Sequence, residues 1–173
     1  MKEENAFYEK LTPQERKAFD LAAMKHEGMT RKHGTPYFTH PLAVAKYLYE
    51  RGYGTDYICT AFCHDLLEDT SITPDELLAC CGEVVLAAAK LLSKSPGYVM
   101  EDYLCAIRKD HIAYAVKVAD RIHNLKEARM ADIQFQRQYL EETEEYYLDF
   151  AKESPFFEDL WNKYNDLKRK VVS

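Results

Sequence analysis

The segment His64-Asp65-Leu66-Leu67-Glu68-Asp69 places one imidazole and three carboxylates within six residues. On a helix, His64 and Glu68 stand four apart and Asp65 and Glu68 three apart, which makes them neighbours on one face. A buried imidazole beside several carboxylates is costly unless something compensates it. A divalent cation does so, because neutral imidazole and ionised carboxylate both ligate it. The alternative is a helix end with solvated acids and one satisfied histidine. Two further pieces favour the metal. His40 stands just before Pro41, where a helix start aims its side chain. Asp120 and Asn124 are four apart in Val118-Ala119-Asp120-Arg121-Ile122-His123-Asn124. His40, His64, Asp65 and Asp120 form a two-His, two-Asp set. It supplies about four of the six positions that a metal such as Mn²⁺ takes and leaves room for water and substrate.

The elements that must position these residues read as helices. The chain has only six Gly and six Pro, and nearly every Pro stands where a helix would begin. Thr12-Pro13-Gln14-Glu15 is a capping box that opens a helix to about residue 25. Thr73-Pro74-Asp75-Glu76 repeats it, and Gly82 offers a left-handed stop, so two adjacent short helices are expected there. A helix from His40-Pro41 to about Tyr49 ends at Arg51-Gly52-Tyr53-Gly54. Residues 55–67 carry apolar side chains at 58, 59, 61, 62 and 63, which predicts a central helix buried nearly all round with the His64 segment at its end. Helices are also expected over 98–108 and 112–128, and two long amphipathic ones over 133–151 and 155–171. Tyr139, Tyr146, Tyr147, Phe150, Phe156, Phe157, Trp161 and Tyr164 form an aromatic stripe on those two, read as core rather than as a stacking platform. No alternating strand pattern is visible. The expectation is an all-α fold, a single compact multi-helix bundle over residues 1–173.

Composition narrows the class. The 173 residues carry 23 Lys+Arg against 29 Asp+Glu, a formal charge of −6, with 47% hydrophobic residues. Such a chain builds a core of its own, which excludes wholesale disorder. The longest apolar run, residues 84–89, is far short of the ~20 residues of a membrane span. The first residues lack a signal peptide's apolar core, so the expected compartment is cytoplasmic. Cysteines 59, 63, 80, 81 and 105 are odd in number and mostly embedded in apolar stretches; they read as reduced core thiols. The acidic balance argues against nucleic acid as a partner and leaves open a small anionic ligand.

The ordered set His40, His64-Asp65, Asp120 resembles the metal-binding H…HD…D pattern of the HD phosphohydrolase superfamily. The match extends further. Arg31-Lys32-His33-Gly34-Thr35-Pro36-Tyr37-Phe38-Thr39-His40-Pro41, His64-Asp65-Leu66-Leu67-Glu68-Asp69-Thr70 and residues 118–124 resemble the RKxGxPYxxHP, HDxxEDT and ADRxHN motifs of the RelA/SpoT hydrolase domain. The resemblance spans roughly residues 15–150, with C-terminal packing helices to 173. It implies hydrolysis of the alarmones ppGpp and pppGpp to GDP or GTP and pyrophosphate, usually with Mn²⁺; Mg²⁺, Fe²⁺ and Zn²⁺ remain open. It implies His40, His64, Asp65 and Asp120 as metal ligands. Glu68 and Asp69 match the acidic pair that positions the attacking water, with Glu68 taking its proton.

For the substrate, the resemblance implies that Arg31 stacks on guanine, that Lys32 makes a polar contact with it, and that Asn124 contacts the nucleotide. Arg137 opens a stretch similar to the family's RxxxxETxExY helix and is a candidate for a phosphate. Lys94, after Ser93, stands where it reaches an anion. His26 fits the pattern either as a site residue or as packing. The chain departs from the family at Lys126-Glu127-Ala128, where Arg-Thr-Leu is common, and Glu127 either reads guanine N1 and N2 or faces away. Larger members add synthetase and regulatory domains, for which this length has no room, so a hydrolase-only protein is expected. The competing readings are an HD phosphohydrolase for another nucleotide or phosphoester, and a catalytically idle nucleotide-binding module. A small nucleotide is the expected partner, with no membrane, and the oligomeric state is not legible.

Overall fold

The computed structural model describes residues 2–32 and 34–172; His33, part of the RK motif, lies outside the described residues. The protein is all-α: the only β feature among those residues is an isolated bridge between Thr30 and Pro36. In chain order the helices are α1 (Lys2–Tyr8), α2 (Pro13–Lys25), α3 (Thr39–Tyr49), α4 (Thr55–Cys63), α5 (Leu66–Asp69), α6 (Pro74–Leu92), α7 (Met100–Arg108), α8 (His111–Ala128), α9 (Ile133–Glu142), a π turn (Thr143–Tyr147), α10 (Leu148–Phe150) and α11 (Phe157–Val172). None is long and apolar enough to cross a membrane.

Both capping boxes form. Thr12 and Thr73 accept from the backbone N–H of Glu15 and Glu76, whose carboxylates accept from the threonine N–H groups. Each satisfies helix-start donors that would otherwise need water. Gly82, at φ +86°, divides α6 into the two expected short helices.

Helix α4 is the axle. It packs against α2, α3, α6 and α8, and every residue from Ile58 to Cys63 is fully buried. Phe62 alone contributes about 1.5–3 kcal/mol by leaving water. Helix α8 mixes two apolar faces because it touches α3, α4, α6, α7, α9 and α11. The aromatic stripe is mostly core: Tyr147, Phe150, Phe156 and Tyr164 are buried, whereas Trp161 is 44% exposed.

Three boundaries differ from expectation. The helix read over 55–67 ends at Cys63, and His64 and Asp65 form a turn before α5. Asp65 sits at φ −96°, ψ −7°, the bridge region that interrupts a helical ladder. The helix over 133–151 carries a π turn at 143–147, and α1 had no signal strong enough to read. All five cysteines are free; Cys59, Cys63 and Cys81 are buried, Cys80 is half-buried and Cys105 is exposed. The core-thiol expectation fails at Cys105, which sits on the solvent side of α7.

Candidate active site

The turn before α3, the α4–α5 turn, α8 and α9 enclose a cavity of about 360 Å³, within the range of small-molecule sites. Its floor carries His40, Asp65 and Asp120 of the two-His, two-Asp set, with the buried His64 3.1 Å from Asp65 behind them. His40 is delivered by the first turn of α3, His64 and Asp65 by the break after α4, and Asp120 by the middle of α8. Ligand atoms of His40, His64 and Asp65 lie within 4.8 Å of one another. Asp120 Oδ1 is 3.0 Å from His40 Nε2 and 3.8 Å from His64 Nε2.

Partners on the far side of each ring aim these atoms. His64 Nδ1 donates to the Ala61 carbonyl at 2.8 Å, which leaves Nε2 unprotonated when the ring is neutral. That Nε2 is buried, stands 3.1 Å from Asp65 Oδ1, and has no partner in hydrogen-bonding geometry. A buried orphan nitrogen facing carboxylates is what a divalent cation satisfies, so the residues present fit a metal. His40 Nδ1 faces His123 Nδ1 at 2.8 Å. Burial, with His40 and Arg31 nearby, lowers His123 to about 3; it is neutral and able to accept the His40 N–H.

The charges agree. Burial disfavours a charged His64, but the Asp65 and Asp120 carboxylates outweigh it and raise the ring to about 9. Burial likewise opposes ionisation of Asp120, yet Lys117 and the two imidazoles hold its carboxyl well below the usual range. Lys117 Nζ donates to Asp120 Oδ2 at 3.0 Å, so Oδ1 is the oxygen turned to the histidines.

Above this floor sit the acids expected to handle water. Glu68 and Asp69 are exposed and line the cavity. Glu68 Oε2 accepts the Lys94 backbone N–H at 2.8 Å. The Tyr37 hydroxyl stands between Asp65 Oδ2, at 2.9 Å, and Asp69 Oδ2. Burial, reinforced by these carboxylates, raises the Tyr37 pKa, so it stays a donor. The helix break means that His64 and Glu68 do not share the continuous helical face their spacing suggested. Glu68 lines the cavity from a short helix, and His64 sits in the turn before it, behind Asp65.

At the other end a tight turn closes through Arg31 N–H to Thr35 O and Gly34 N–H to Arg31 O, both 2.8 Å; Gly34 has φ +86°, where a side chain would be strained. It presents Arg31 and Lys32. Arg31 Nε and Nη2 bond Glu127 Oε2 at 3.0 and 2.7 Å, and Nη2 also bonds Asn124 Oδ1 at 2.6 Å. Its guanidinium lies over the Tyr37 ring at 5.2 Å. Lys32 Nζ lies 4.1 Å from the Phe135 ring centroid.

Of the remaining expected residues, Lys94 lines the cavity with Nζ 5.1 Å from the Tyr98 ring. Arg137 is exposed on α9 and does not line the cavity. The arginine in that place is Arg121, held by Thr143, Glu142 and the Tyr139 carbonyl and sandwiched at about 4 Å by Tyr139 and Tyr147. His26 is buried and stacks on Tyr37 at 4.5 Å, with neither ring nitrogen hydrogen-bonded, a packing role. Sequence reasoning missed Tyr37, Lys117, Arg121 and His123 as site residues. All four lie within or beside the quoted motifs, which was the signal available.

Comparison with known proteins agrees with this geometry. Residues 18–95 match the HD domain family. The chain is 31% identical over 167 residues to a probable guanosine-3′,5′-bis(diphosphate) 3′-pyrophosphohydrolase of Synechocystis sp., covering 90% of this chain and 22% of the relative. It is 34% identical over 136 residues to the bifunctional (p)ppGpp synthase/hydrolase RelA of Mycobacterium tuberculosis, covering 73% and 18%. With the bifunctional synthase/hydrolase SpoT of Escherichia coli it shares 31% over 147 residues, covering 79% and 21%. The chain thus spans about a fifth of the length of these relatives. The solved structure of a metazoan ortholog of SpoT that hydrolyzes ppGpp superposes with a TM-score of 0.79 at 18% identity, covering 90% of this chain and 96% of that one. The fold, the motif positions and these similarities show that the chain carries an HD domain homologous to the hydrolase domain of RelA/SpoT proteins.

Proposed function

We propose that this protein is a Mn²⁺-dependent hydrolase that removes the 3′-pyrophosphate of ppGpp or pppGpp, giving GDP or GTP and pyrophosphate. The observation that carries the reading is the cavity itself. One end gathers His40, His64, Asp65 and Asp120 around a bare, buried His64 Nε2, and the other holds Arg31 rigidly with a face toward the same space. The names of the relatives support the substrate, and the cytoplasm is the compartment that goes with it.

In this reading His40, His64, Asp65 and Asp120 hold the cation. Bound there, a divalent cation lowers the pKa of water toward ~7–9 and withdraws charge from phosphoryl oxygens. Glu68 takes the proton of the attacking water, its carboxylate fixed by the Lys94 N–H; a positioned base of this kind contributes roughly 10²–10⁴-fold. The Tyr37 hydroxyl orients Asp65 and Asp69. Arg31 and Lys32 receive the base, Asn124 joins the two ends, and Arg137 lies outside the cavity.

The test is release of pyrophosphate and GDP from ppGpp by purified protein with Mn²⁺, beside Glu68→Gln. Turnover that requires the cation, and falls about 100-fold or more in the variant while cation binding persists, is expected. No turnover of ppGpp, or faster turnover of deoxynucleoside triphosphates or cyclic nucleotides, sinks the reading.

A further inference from the structure

A hydrogen-bonded path of side chains runs from Asp120, beside His40, to Glu127, and His123 lies between its two ends. His40 Nε2 meets Asp120 Oδ1 at 3.0 Å. Asn124 Nδ2 donates to the same oxygen, and Asn124 Oδ1 accepts from Arg31 Nη2 at 2.6 Å. Arg31 grips Glu127 Oε2 with two donors. That oxygen lies 3.9 Å from His123 Nδ1, beyond hydrogen-bond reach, and the same nitrogen accepts from His40 Nδ1 at 2.8 Å. Four members, Asp120, His123, Asn124 and Glu127, stand at i, i+3, i+4 and i+7 of α8, a single helical face. Only His40 and Arg31 come from other elements. The network therefore joins two residues from other elements, one of the metal set and one at the expected base contact, through one rigid helix face.

From this geometry we propose that Glu127 is a positioning residue that couples nucleoside binding at Arg31 to cation binding at His40 and Asp120. The inference rests on the reading that Arg31 receives the base.

Glu127 is 9% exposed and the Arg31 side chain 17%, so the pair is shielded from water and each charge depends on the other. Both donors that Arg31 gives Glu127 lie on one edge of the guanidinium. Held by that edge, the group keeps its plane fixed and the face away from Tyr37 available, a geometry that a planar fork permits and an ammonium does not. The pair also keeps a buried cation from turning toward the carboxylates of the metal set. A ligand that packs on Arg31 restrains Glu127 and Asn124 further, and through Asn124 it bears on Asp120 and His40. A cation that orders His40 and Asp120 works in the opposite direction, and the two effects are equal by linkage.

The experiment measures Mn²⁺ affinity by titration calorimetry or electron paramagnetic resonance, with and without guanosine, which has no phosphate to reach the cation. In the natural protein guanosine is expected to tighten Mn²⁺ by about fivefold or more. In Glu127→Gln that enhancement is expected to fall to about unity, with Mn²⁺ affinity in the absence of guanosine changed less than about threefold. Glu127→Asp, which keeps the charge but shortens the reach, is expected to retain part of the enhancement and carries the test if the glutamine variant fails to fold. A structural defect alone would lower both affinities and leave their ratio unchanged. No enhancement in the natural protein, or equal enhancement in Glu127→Gln, overturns the proposal. Hydrolysis is not read in this experiment, so failure of the coupling and failure to hydrolyse ppGpp are separate results.

Discussion

The two ends of the cavity are built on opposite principles. At the floor, His40, His64, Asp65 and Asp120 are packed together although His64 Nε2 finds no hydrogen-bond partner. At the rim, the Arg31 side chain is mostly shielded yet lines the cavity, and Glu127 and Asn124 take its donors. One end leaves a buried ring nitrogen without a hydrogen-bond partner and the other has its donors taken by the protein. An unsatisfied buried polar site costs the fold free energy that a ligand returns on binding. A satisfied site offers a ligand only shape and exposed faces. The floor should therefore dominate affinity and rate, and the rim should select.

Loss of a floor ligand breaks this comparison most severely. His64→Gln keeps a similar volume but removes the bare nitrogen. Its Mn²⁺ affinity, measured by calorimetry, is expected to fall by at least the roughly 100-fold that disturbing even a ligand's hydrogen-bond partner costs, with hydrolysis near background.

At the rim, Arg31→Met keeps the stem and removes the charge. It is expected to raise KM about tenfold, the scale of a well-shielded cation–π contact, with kcat within about threefold and Mn²⁺ binding retained in steady-state assays. If kcat collapses as it does for His64→Gln, the distinction between the ends is wrong.

The most graded effect, small at each step, is that of pH. His64 is raised from its ordinary value near 6.5 to about 9 by the carboxylates around it. Without metal, its charged form contributes stability that is fully present below about pH 6.5 and lost as pH rises through about 9. Metal reverses the sign, because the cation must displace that proton. Mn²⁺ affinity is expected to rise about tenfold per pH unit between about 6.5 and 9, while the thermal stability of the metal-free protein declines over the same window. A flat affinity profile would show that His64 binds no proton that the cation must displace.

Much of this was legible before any coordinates. Thr12-Pro13-Gln14-Glu15 and Thr73-Pro74-Asp75-Glu76 announce helix starts because capping uses atoms within four residues, and both boxes form. The burial of α4 followed from its unbroken apolar positions. Arg137 shows the limit. Its helix was read correctly, but which face of α9 meets the cavity depends on how α9 packs against α8 and α11. That packing puts Arg121 at the cavity and Arg137 in solvent. The break at His64-Asp65 was illegible for a similar reason: its local sequence suits a helix, and the surrounding helices decide that the backbone turns there.

Glu127 divides the two kinds of knowledge most sharply. The sequence alone determined that the residue types for metal chemistry are present in order, that helices carry them, and that an acidic group stands where the related domains commonly have Thr. Residue type, local spacing and capping are properties of short stretches of chain. Only the tertiary structure decided that Glu127 turns inward to hold Arg31, 96 positions away in the chain, because a shielded carboxylate and a shielded guanidinium are each stabilised by being paired.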